Sequence, residues 1–452
     1  MLSITLRLVL LPALAAPLVQ TAWQQQLLRQ VSDTAAARSS AASLGLLERL
    51  DRPDARSTLQ RCCPEVAAWP APVLASALRA ELLSAEVVSG FSTEVNASFF
   101  SFSLDEAEKV TYYENLWEIW VRNHAQLNNY THCLDWVESS YFGMKPFQEH
   151  AHPTSMAEAR ERSAYFLLNS LRVDEGSPLY GDVSVVLLPS FARRVSVLSP
   201  FDSGSWSGLC NHSFVTPNTS YAHNCSAFSG RGGLGTFQAF DHLFEINERY
   251  WAKPEAFLQP LARLLGPEGS TGLVGENFVQ YFEVLPTARV EFTHVKFIIA
   301  AFPSLFGTDR GERVQRWCRR NGLMLVWSLG LNVGFTTDHG MPHFWDVQKQ
   351  RGPFYSNQRL MDPGVLRTSS LNATAAAEDV AAFSAAWQLL ASERRRHLEP
   401  ADFNRLWASL TANLSHSLQI APLRAASCAD LDRCIGVTRL GCLCKKEAAV
   451  VV

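Results

Sequence analysis

The segment YGDVSVVLLP, residues 180–189, decides the fold of this chain. Within it, Val183–Leu188 is an apolar, β-branched run between a glycine and a proline, which favours a strand. A second run of this kind, Arg194–Leu198, begins a few residues later, and the two predict a strand pair joined by a turn. The sequence therefore predicts a β-sheet near the middle of the 452-residue chain.

Helical and strand-like patterns alternate around this pair. Helical spacing of apolar residues predicts helices over Leu104–Leu127, Phe237–Trp251, Pro254–Leu265 and Gly311–Asn321, with Gly322 as the C-terminal stop of the last one. Further strands are predicted over Asn277–Pro286, Phe292–Phe302 and Leu323–Ser328. The alternation predicts an α+β central domain with a mixed small sheet at residues 106–335.

The N-terminus has the pattern of a secretory signal peptide over residues 1–22. Arg7 precedes the apolar run Leu8–Val19, and Ala13-Leu14-Ala15 supplies small residues where a signal peptidase reads them. The run is too short for an ordinary membrane span, so no span is expected after removal of the signal. A buried N-terminal helix is the alternative interpretation.

Two flanking regions complete the predicted domain organisation. Residues 23–105 predict a mostly helical N-terminal region, with helices over Trp23–Leu50 and Pro70–Val88. Residues 336–452 predict a C-terminal extension that is first helical, over Glu378–Arg394 and Asp402–Leu418, and then Cys-rich. The length of the chain is compatible with this division, since it is sufficient for more than one domain.

Asn-x-Ser/Thr sequons support a secretory route. They begin at Asn96, Asn129, Asn211, Asn218, Asn224, Asn372 and Asn413. Sequons mark surface loops when a protein passes through the secretory pathway, so the sequence predicts a secreted or endomembrane-lumen glycoprotein. The net charge of -3 gives no electrostatic reason to expect nucleic acid as a partner.

The chain has ten cysteines, an even number that permits complete pairing as disulfides. Cys210 and Cys225 flank a sequon-rich loop and are predicted to close it, although pairing of either with Cys133 or Cys318 stays open. The C-terminal cysteines predict a disulfide-stapled module and are Cys428, Cys434, Cys442 and Cys444. Zinc is the weaker alternative there, because the last two lack the two-residue gap of a zinc knuckle.

Two groups of histidines in the sequence are candidate metal ligands. These are His150-Ala151-His152 and the segment Asp338–His343. Pro342 prevents a regular helix in the second group, so its side chains are not aligned on one helical face. We therefore expect no metal cofactor.

A series of short blocks lies in order between residues 161 and 327. The blocks are Glu161–Asn169 (ERSAYFLLN), Tyr180–Pro189, Arg194–Val197, Phe201–Ser203, Tyr281–Val284, Val295–Ala301, Phe306–Thr308 and Val326-Trp327. In their order and spacing they resemble an uncharacterised, mainly bacterial family, domain-of-unknown-function family 3626. The resemblance covers about half of the chain and leaves residues 336–452 outside it.

The resemblance also implies an ADP-ribosyltransferase-like reaction, because Arg162, Ser203 and Glu283 occur in the order that those enzymes use. Arg162 would hold the phosphates of NAD, and Ser203 would position the glutamate or the ribose. Glu283 would stabilise the oxocarbenium-like state as nicotinamide leaves. Tyr165 and Asn169 would complete the NAD-binding set, and the acceptor would be an unknown protein or small molecule.

The sequence departs from the family pattern immediately after Glu283. The family continues with a Gln, then a His and a Gly, whereas this chain has Val284, Leu285 and Pro286. Arg162 also has a structural interpretation, as an ion-pairing residue at a helix. The alternative hypothesis is therefore a catalytically inactive extracellular binding or structural module on the same scaffold.

Overall fold

The computed structural model describes part of the chain. The described residues are 18–62, 64–93, 102–123, 134–135, 138–139, 142–147, 152–169, 176, 181–200, 233–251, 282–301, 305, 307–328, 367–368, 424–426, 434–438 and 441–444. The predicted Cys210–Cys225 bridge lies outside them, as do the predicted helices over Pro254–Leu265, Glu378–Arg394 and Asp402–Leu418.

Helices cover the N-terminal part of the chain and recur between the strands. They are α1 Ala22–Asp51, α2 Pro53–Cys62, α3 Pro64–Ala67, α4 Ala71–Ser84, α5 Leu104–Ala107, α6 Leu116–Asn123, α7 Met156–Ala159, α8 Pro189–Val195, α9 Asp241–Trp251 and α10 Asp309–Arg320. Helix α1 agrees closely with its prediction and begins with a capping box, in which Thr21 and Gln24 satisfy each other's backbone N–H groups. Gly322, at a φ of 64°, ends α10 as predicted.

The strands are short and most of them belong to one sheet. They are β1 Val87–Phe91, β2 Tyr112–Tyr113, β3 Phe166–Leu168, β4 Val183–Leu187, β5 Ser196–Ser199, β6 Gly235–Thr236, β7 Glu283–Pro286, β8 Val290–Glu291, β9 Val295–Ala301, β10 Leu325–Ser328, β11 Arg367–Thr368, β12 Arg424–Ala426, β13 Cys434–Thr438 and β14 Gly441–Cys444.

Within the described residues, nine of these strands form the main sheet, in the order β11-β10-β9-β4-β1-β3-β7-β5-β6. Strands β9 and β10 run parallel, whereas the other neighbouring pairs are antiparallel. Helices together with a mixed sheet confirm the predicted α+β class. The central strands β1 and β4 are buried along their whole length, which explains why their sequences lack polar alternation.

The predicted pairing of Val183–Leu188 with Arg194–Leu198 is wrong. Strand β4 pairs with β1 and β9, whereas β5 pairs with β6 and β7. The connecting residues form α8, because Pro189 at its first turn suits a helix start and not a tight hairpin. The chain therefore leaves β4 and joins the sheet again at a distance of several strands.

The N-terminal region is mostly helical, as predicted, but it also supplies a central strand. The helix predicted over Pro70–Val88 ends at Ser84, and Val87 begins β1. This strand lies between β4 and β3, and residues of α1, α4 and the sheet share one hydrophobic core. The predicted regions 23–105 and 106–335 therefore contribute to the same sheet and the same core.

A free cysteine and the lengths of the helices bear on the predicted secretory route. Cys318 on α10 is buried and free, which excludes complete pairing of the ten cysteines and pairing of Cys210 or Cys225 with Cys318. None of the helices in the described part of the chain combines the length and the apolar character that a bilayer span requires.

Candidate functional site

Arg162 lies in the turn that connects the short helix α7 to strand β3. Helix α7 begins after Ser155, whose side chain accepts a hydrogen bond from the backbone N–H of Glu158. The helix ends after one turn, and the backbone carbonyl of Arg162 accepts a hydrogen bond from the Asn115 side chain at 3.1 Å. This anchoring directs Arg162 into the protein, where its side chain is 0% exposed.

The guanidinium of Arg162 is bound by two carboxylates of the same chain. Its Nη2 donates to Asp135 and its Nη1 donates to Glu138. The Cζ atom also lies 3.9 Å from the centroid of the Phe147 ring, an arrangement that gives a cation–π contact. The positive charge and both Nη groups are thus satisfied inside the protein.

Glu138 is the centre of this network. Its carboxylate is fully buried and accepts hydrogen bonds from Trp117 Nε1 at 2.8 Å, from Arg162 and from the hydroxyl of Tyr165. Burial raises the pKa of Glu138 above its ordinary value, and the positive charge of Arg162 partly opposes that shift. We call these residues, with Asp135 and Phe147, the Arg162 network.

Tyr165 and Asn169 both have partners within the protein. The Tyr165 hydroxyl belongs to the Arg162 network. Asn169 is buried immediately after β3, where its backbone N–H donates to the carbonyl of Glu86 at 2.8 Å and its side-chain Nδ2 lies 3.5 Å from the Glu86 carboxylate. These contacts connect Asn169 to the residue that precedes β1.

Glu283 is the first residue of β7 and is buried. In the antiparallel register it lies opposite Leu167 on β3 and opposite Ser199 on β5. Directly opposed residues project from the same face of a sheet, so Glu283 and Ser199 are neighbours on one face. Ser199 is also fully buried. Carboxylate and hydroxyl groups are therefore adjacent at this point of the sheet.

Arg162 and Glu283 belong to opposite ends of the β3–β7 pair. Phe166 pairs with Val284 and Leu167 pairs with Glu283, so residues that precede Phe166 extend toward Pro286 and away from Glu283. The predicted Ser203 lies outside the described residues. The structure thus describes Arg162 and Glu283 in separate surroundings, each with its own polar neighbours.

Three polar residues at these positions were not predicted. Asp135 and Glu138 could have been suspected from their spacing, because acidic residues three apart share a face when the backbone is helical. Ser199 could have been suspected from Ser196–Ser199, a short strand with a serine at each end. Among the described residues, no group of three or more His, Cys, Asp or Glu side chains is placed to hold a metal ion.

Comparison with family models and with curated proteins gives no match for this chain. No family model matches it, and no curated protein is significantly similar to it. The resemblance to domain-of-unknown-function family 3626 therefore rests on the sequence blocks alone.

Proposed function

We propose that this chain is a secreted or endomembrane glycoprotein whose α+β domain serves as a binding or structural module without transferase activity. The observation that supports this proposal most directly is the environment of Arg162. Both of its Nη groups donate to carboxylates of the chain, and its side chain is fully buried. An NAD-binding arginine would need those same donors for phosphate oxygens.

Displacing the carboxylates from Arg162 would be costly. Breaking a buried ion pair typically costs about 3–5 kcal/mol, because it leaves a buried charge without compensation. A ligand that binds with micromolar affinity gains about 8 kcal/mol in total. Opening the Arg162 network would therefore consume a large part of the binding free energy of NAD.

The residues after Glu283 also favour a structural role. Val284 and Leu285 are both 0% exposed and belong to the shared hydrophobic core. They occupy positions at which the resembled family has polar residues. In this chain these positions contribute packing, because apolar side chains there are removed from water.

A second candidate function is ADP-ribosyl transfer from NAD to an unknown protein or small-molecule acceptor. The specific observation in its favour is the adjacency of Glu283 and Ser199 on β7 and β5. In this alternative, Glu283 would stabilise the oxocarbenium-like state, and a serine on the next strand would orient the carboxylate. Phosphate binding would then have to come from residues other than Arg162.

Nicotinamide release separates the two candidates. The full chain, purified from a secretory host, is incubated with NAD, and released nicotinamide is compared with a protein-free blank and with a matched Glu283→Gln variant. We expect release no faster than in the blank for both proteins. Release that is abolished in a folded Glu283→Gln variant would establish NAD cleavage that depends on Glu283 and would exclude the inactive module.

The compartment is tested separately by intact-mass analysis of the same material. Processing should remove roughly the first 15 to 25 residues, and glycan should be added. The fold narrows this range, because the carbonyl of Val19 accepts from Arg289 N–H at 2.9 Å and Gln20 donates to the Thr287 carbonyl at 2.9 Å. We therefore expect cleavage before Leu18, which makes the signal peptide shorter than the predicted residues 1–22. An unprocessed chain without glycan would contradict the secretory assignment.

A further inference from the structure

A small sheet near the C-terminus brings cysteines together. It consists of β12, β14 and β13 in that spatial order. Strand β13 begins with Cys434, and strand β14 contains Cys442 and Cys444. The pairing register of the two strands therefore determines which cysteines lie opposite each other along the backbone.

The register of β13 and β14 is antiparallel and contains an irregularity. Thr438 lies opposite Gly441, Val437 opposite Cys442 and Gly436 opposite Leu443, but the next pair is Cys434 with Cys444. Ile435 is the extra residue at this β-bulge. Without the bulge Ile435 would lie opposite Cys444, so the irregularity is what aligns the two cysteines.

The other neighbours in this sheet are not cysteines. Across β12, Cys444 lies opposite Arg424 and Cys442 lies opposite Ala426. Across β13, Cys442 lies opposite Val437. Cys434 and Cys444 are thus the two cysteines in direct register within the described strands β12, β13 and β14.

We propose that Cys434 and Cys444 form a disulfide that fastens the β13–β14 hairpin. Directly opposed residues of antiparallel strands have Cα atoms roughly 4.5–5.5 Å apart. Disulfides join residues whose Cα atoms are about 4.4–6.8 Å apart. The backbone register therefore brings these residues within bonding range without a backbone rearrangement.

The bond forms by oxidation of two thiols. Each cysteine loses one proton, the two sulfurs become bonded, and two electrons pass to an oxidised disulfide of the secretory compartment, which is reduced to two thiols. This step rests on the proposed secretory route, because cytosolic reductants keep such thiols reduced.

Cys318 determines the number of cysteines left for other bonds. It is free, and burial raises the pKa of its thiol to about 12, which keeps the sulfur protonated and unreactive. Removing Cys318 and the Cys434–Cys444 pair from the ten cysteines leaves an odd number. At least one further cysteine must therefore remain a thiol or bond to another molecule.

Tryptic mapping without reduction tests the bond in the full chain. Cleavage after Arg433, Arg439 and Lys445 yields one peptide with Cys434 and a second, residues 440–445, with Cys442 and Cys444. We expect these two peptides to be joined, and to separate on reduction. Two matched variants then show which cysteine of the second peptide is bonded to Cys434. Cys444→Ser should abolish the disulfide-linked peptide pair, whereas Cys442→Ser should retain it.

Several outcomes would overturn the bond. Cys434 alkylated without reduction, Cys434 joined to the Cys428 peptide, or co-purified zinc with all four C-terminal thiols alkylatable would each exclude it. If Cys444→Ser fails to fold, fragmentation of the wild-type linked peptides still assigns the sulfurs. Other disulfides without this one would refute the inference alone, whereas a chain with neither disulfides nor glycan would refute the proposed route as well.

Discussion

Arg162 and Arg313 each bind one aspartate and one glutamate, but in opposite environments. Arg162 holds Asp135 and Glu138 with a side chain that is 0% exposed. Arg313 on α10 donates to Asp105 at 2.6 Å and to Glu108 at 2.8 Å with a side chain that is 28% exposed. The two sites therefore have the same charges and differ mainly in their access to water.

The difference in access to water determines how much each site contributes to the stability of the fold. In the interior, removing one partner leaves the others as buried, uncompensated charges, and their desolvation is expensive. Near the surface, water and salt replace the lost partner, so an ion pair is typically worth about 0–1 kcal/mol. The Arg162 network should consequently hold its segment of the chain in place, whereas the Arg313 site should adjust stability only slightly.

The largest effect is expected for Arg162→Met. The substitution leaves the fully buried carboxylate of Glu138, and that of Asp135 with 14% of its side chain exposed, without a cation. The free energy of unfolding should therefore fall by about 3–5 kcal/mol. Urea denaturation of the variant and the wild type measures this difference. Arg162→Lys, which keeps the charge but loses the two-pronged geometry, is the matched control and should lose less. A loss below about 1 kcal/mol for Arg162→Met would remove the contrast with Arg313.

A smaller effect is expected for Glu138→Gln. The amide oxygen can still accept from Arg162 and Trp117, and its NH₂ can donate to the Tyr165 hydroxyl oxygen, so the cost at neutral pH should be about 1 kcal/mol or less. Asp135 continues to balance the charge of Arg162. A cost as large as that of Arg162→Met would mean that the network needs both carboxylates ionised.

The stability of Glu138→Gln should also depend on pH differently from that of the wild type. Burial raises the pKa of Glu138 above the ordinary value of 4.5, so the folded state binds the proton more tightly than the unfolded state. The stability that Glu138 contributes through this proton is present below pH 4.5, and it is lost as the pH rises through the pKa of Glu138 in the folded state. As the pH is raised from 4, the urea concentration at the denaturation midpoint should therefore fall less steeply for Glu138→Gln than for the wild type. Identical slopes for the two proteins would contradict the raised pKa.

Arg313→Met tests the exposed side of the comparison. We expect a loss of about 0.2–1 kcal/mol, because solvent screens the interactions with Asp105 and Glu108. The loss should shrink further in 1 M salt, whereas the effect of Arg162→Met should persist. Thermal unfolding of Arg313→Met and Arg162→Met at low and high salt measures how much of each loss of stability depends on salt. An Arg313 effect that is large and insensitive to salt would show that burial is not the deciding variable.

The smallest effect is expected for Arg316→Ala, also on α10. Arg316 lies 3.4 Å from Glu312 one helical turn away, and both side chains are more than half exposed. Such i,i+4 pairs are worth about 0.3–0.5 kcal/mol, and alanine partly compensates through its higher helix propensity. The denaturation midpoint should be close to that of the wild type. A clear destabilisation would indicate that Arg316 has a packing role beyond this pair.

Apolar spacing predicted the long helices α1 and α10, whereas the single helix predicted over Leu104–Leu127 is wrong, because the structure has α5, β2 and α6 there. The N-terminal caps of these two helices, Thr21 and Thr308, became apparent only in the structure, where the Thr308 hydroxyl accepts the N–H of Gly311 at 3.1 Å. The pairing of strands was harder to predict, because the sequence shows that β4 and β5 are strands but not which strands they join. Strand β1 was missed because its short apolar run continues directly from the apolar pattern of α4.

The candidate site was predictable only as far as individual residues. Arg162 and Glu283 were identified from their order along the chain. The partners of Arg162 lie 27 and 24 residues upstream, and such contacts depend on tertiary packing that no local pattern specifies. Ser199 next to Glu283 follows from the β5–β7 register, which the sequence likewise leaves open.

The position of β1 has a consequence for the order of events during synthesis. Its partners, Leu168 on β3 and Val186 on β4, are about 80–100 residues downstream. At roughly 5–20 residues per second, these partners emerge on the order of 4–20 s after β1. Throughout that interval both hydrogen-bonding edges of an apolar strand are open, which is a template for aggregation. We therefore expect residues 87–91 to be a chaperone-binding segment of the nascent chain, released when β4 arrives.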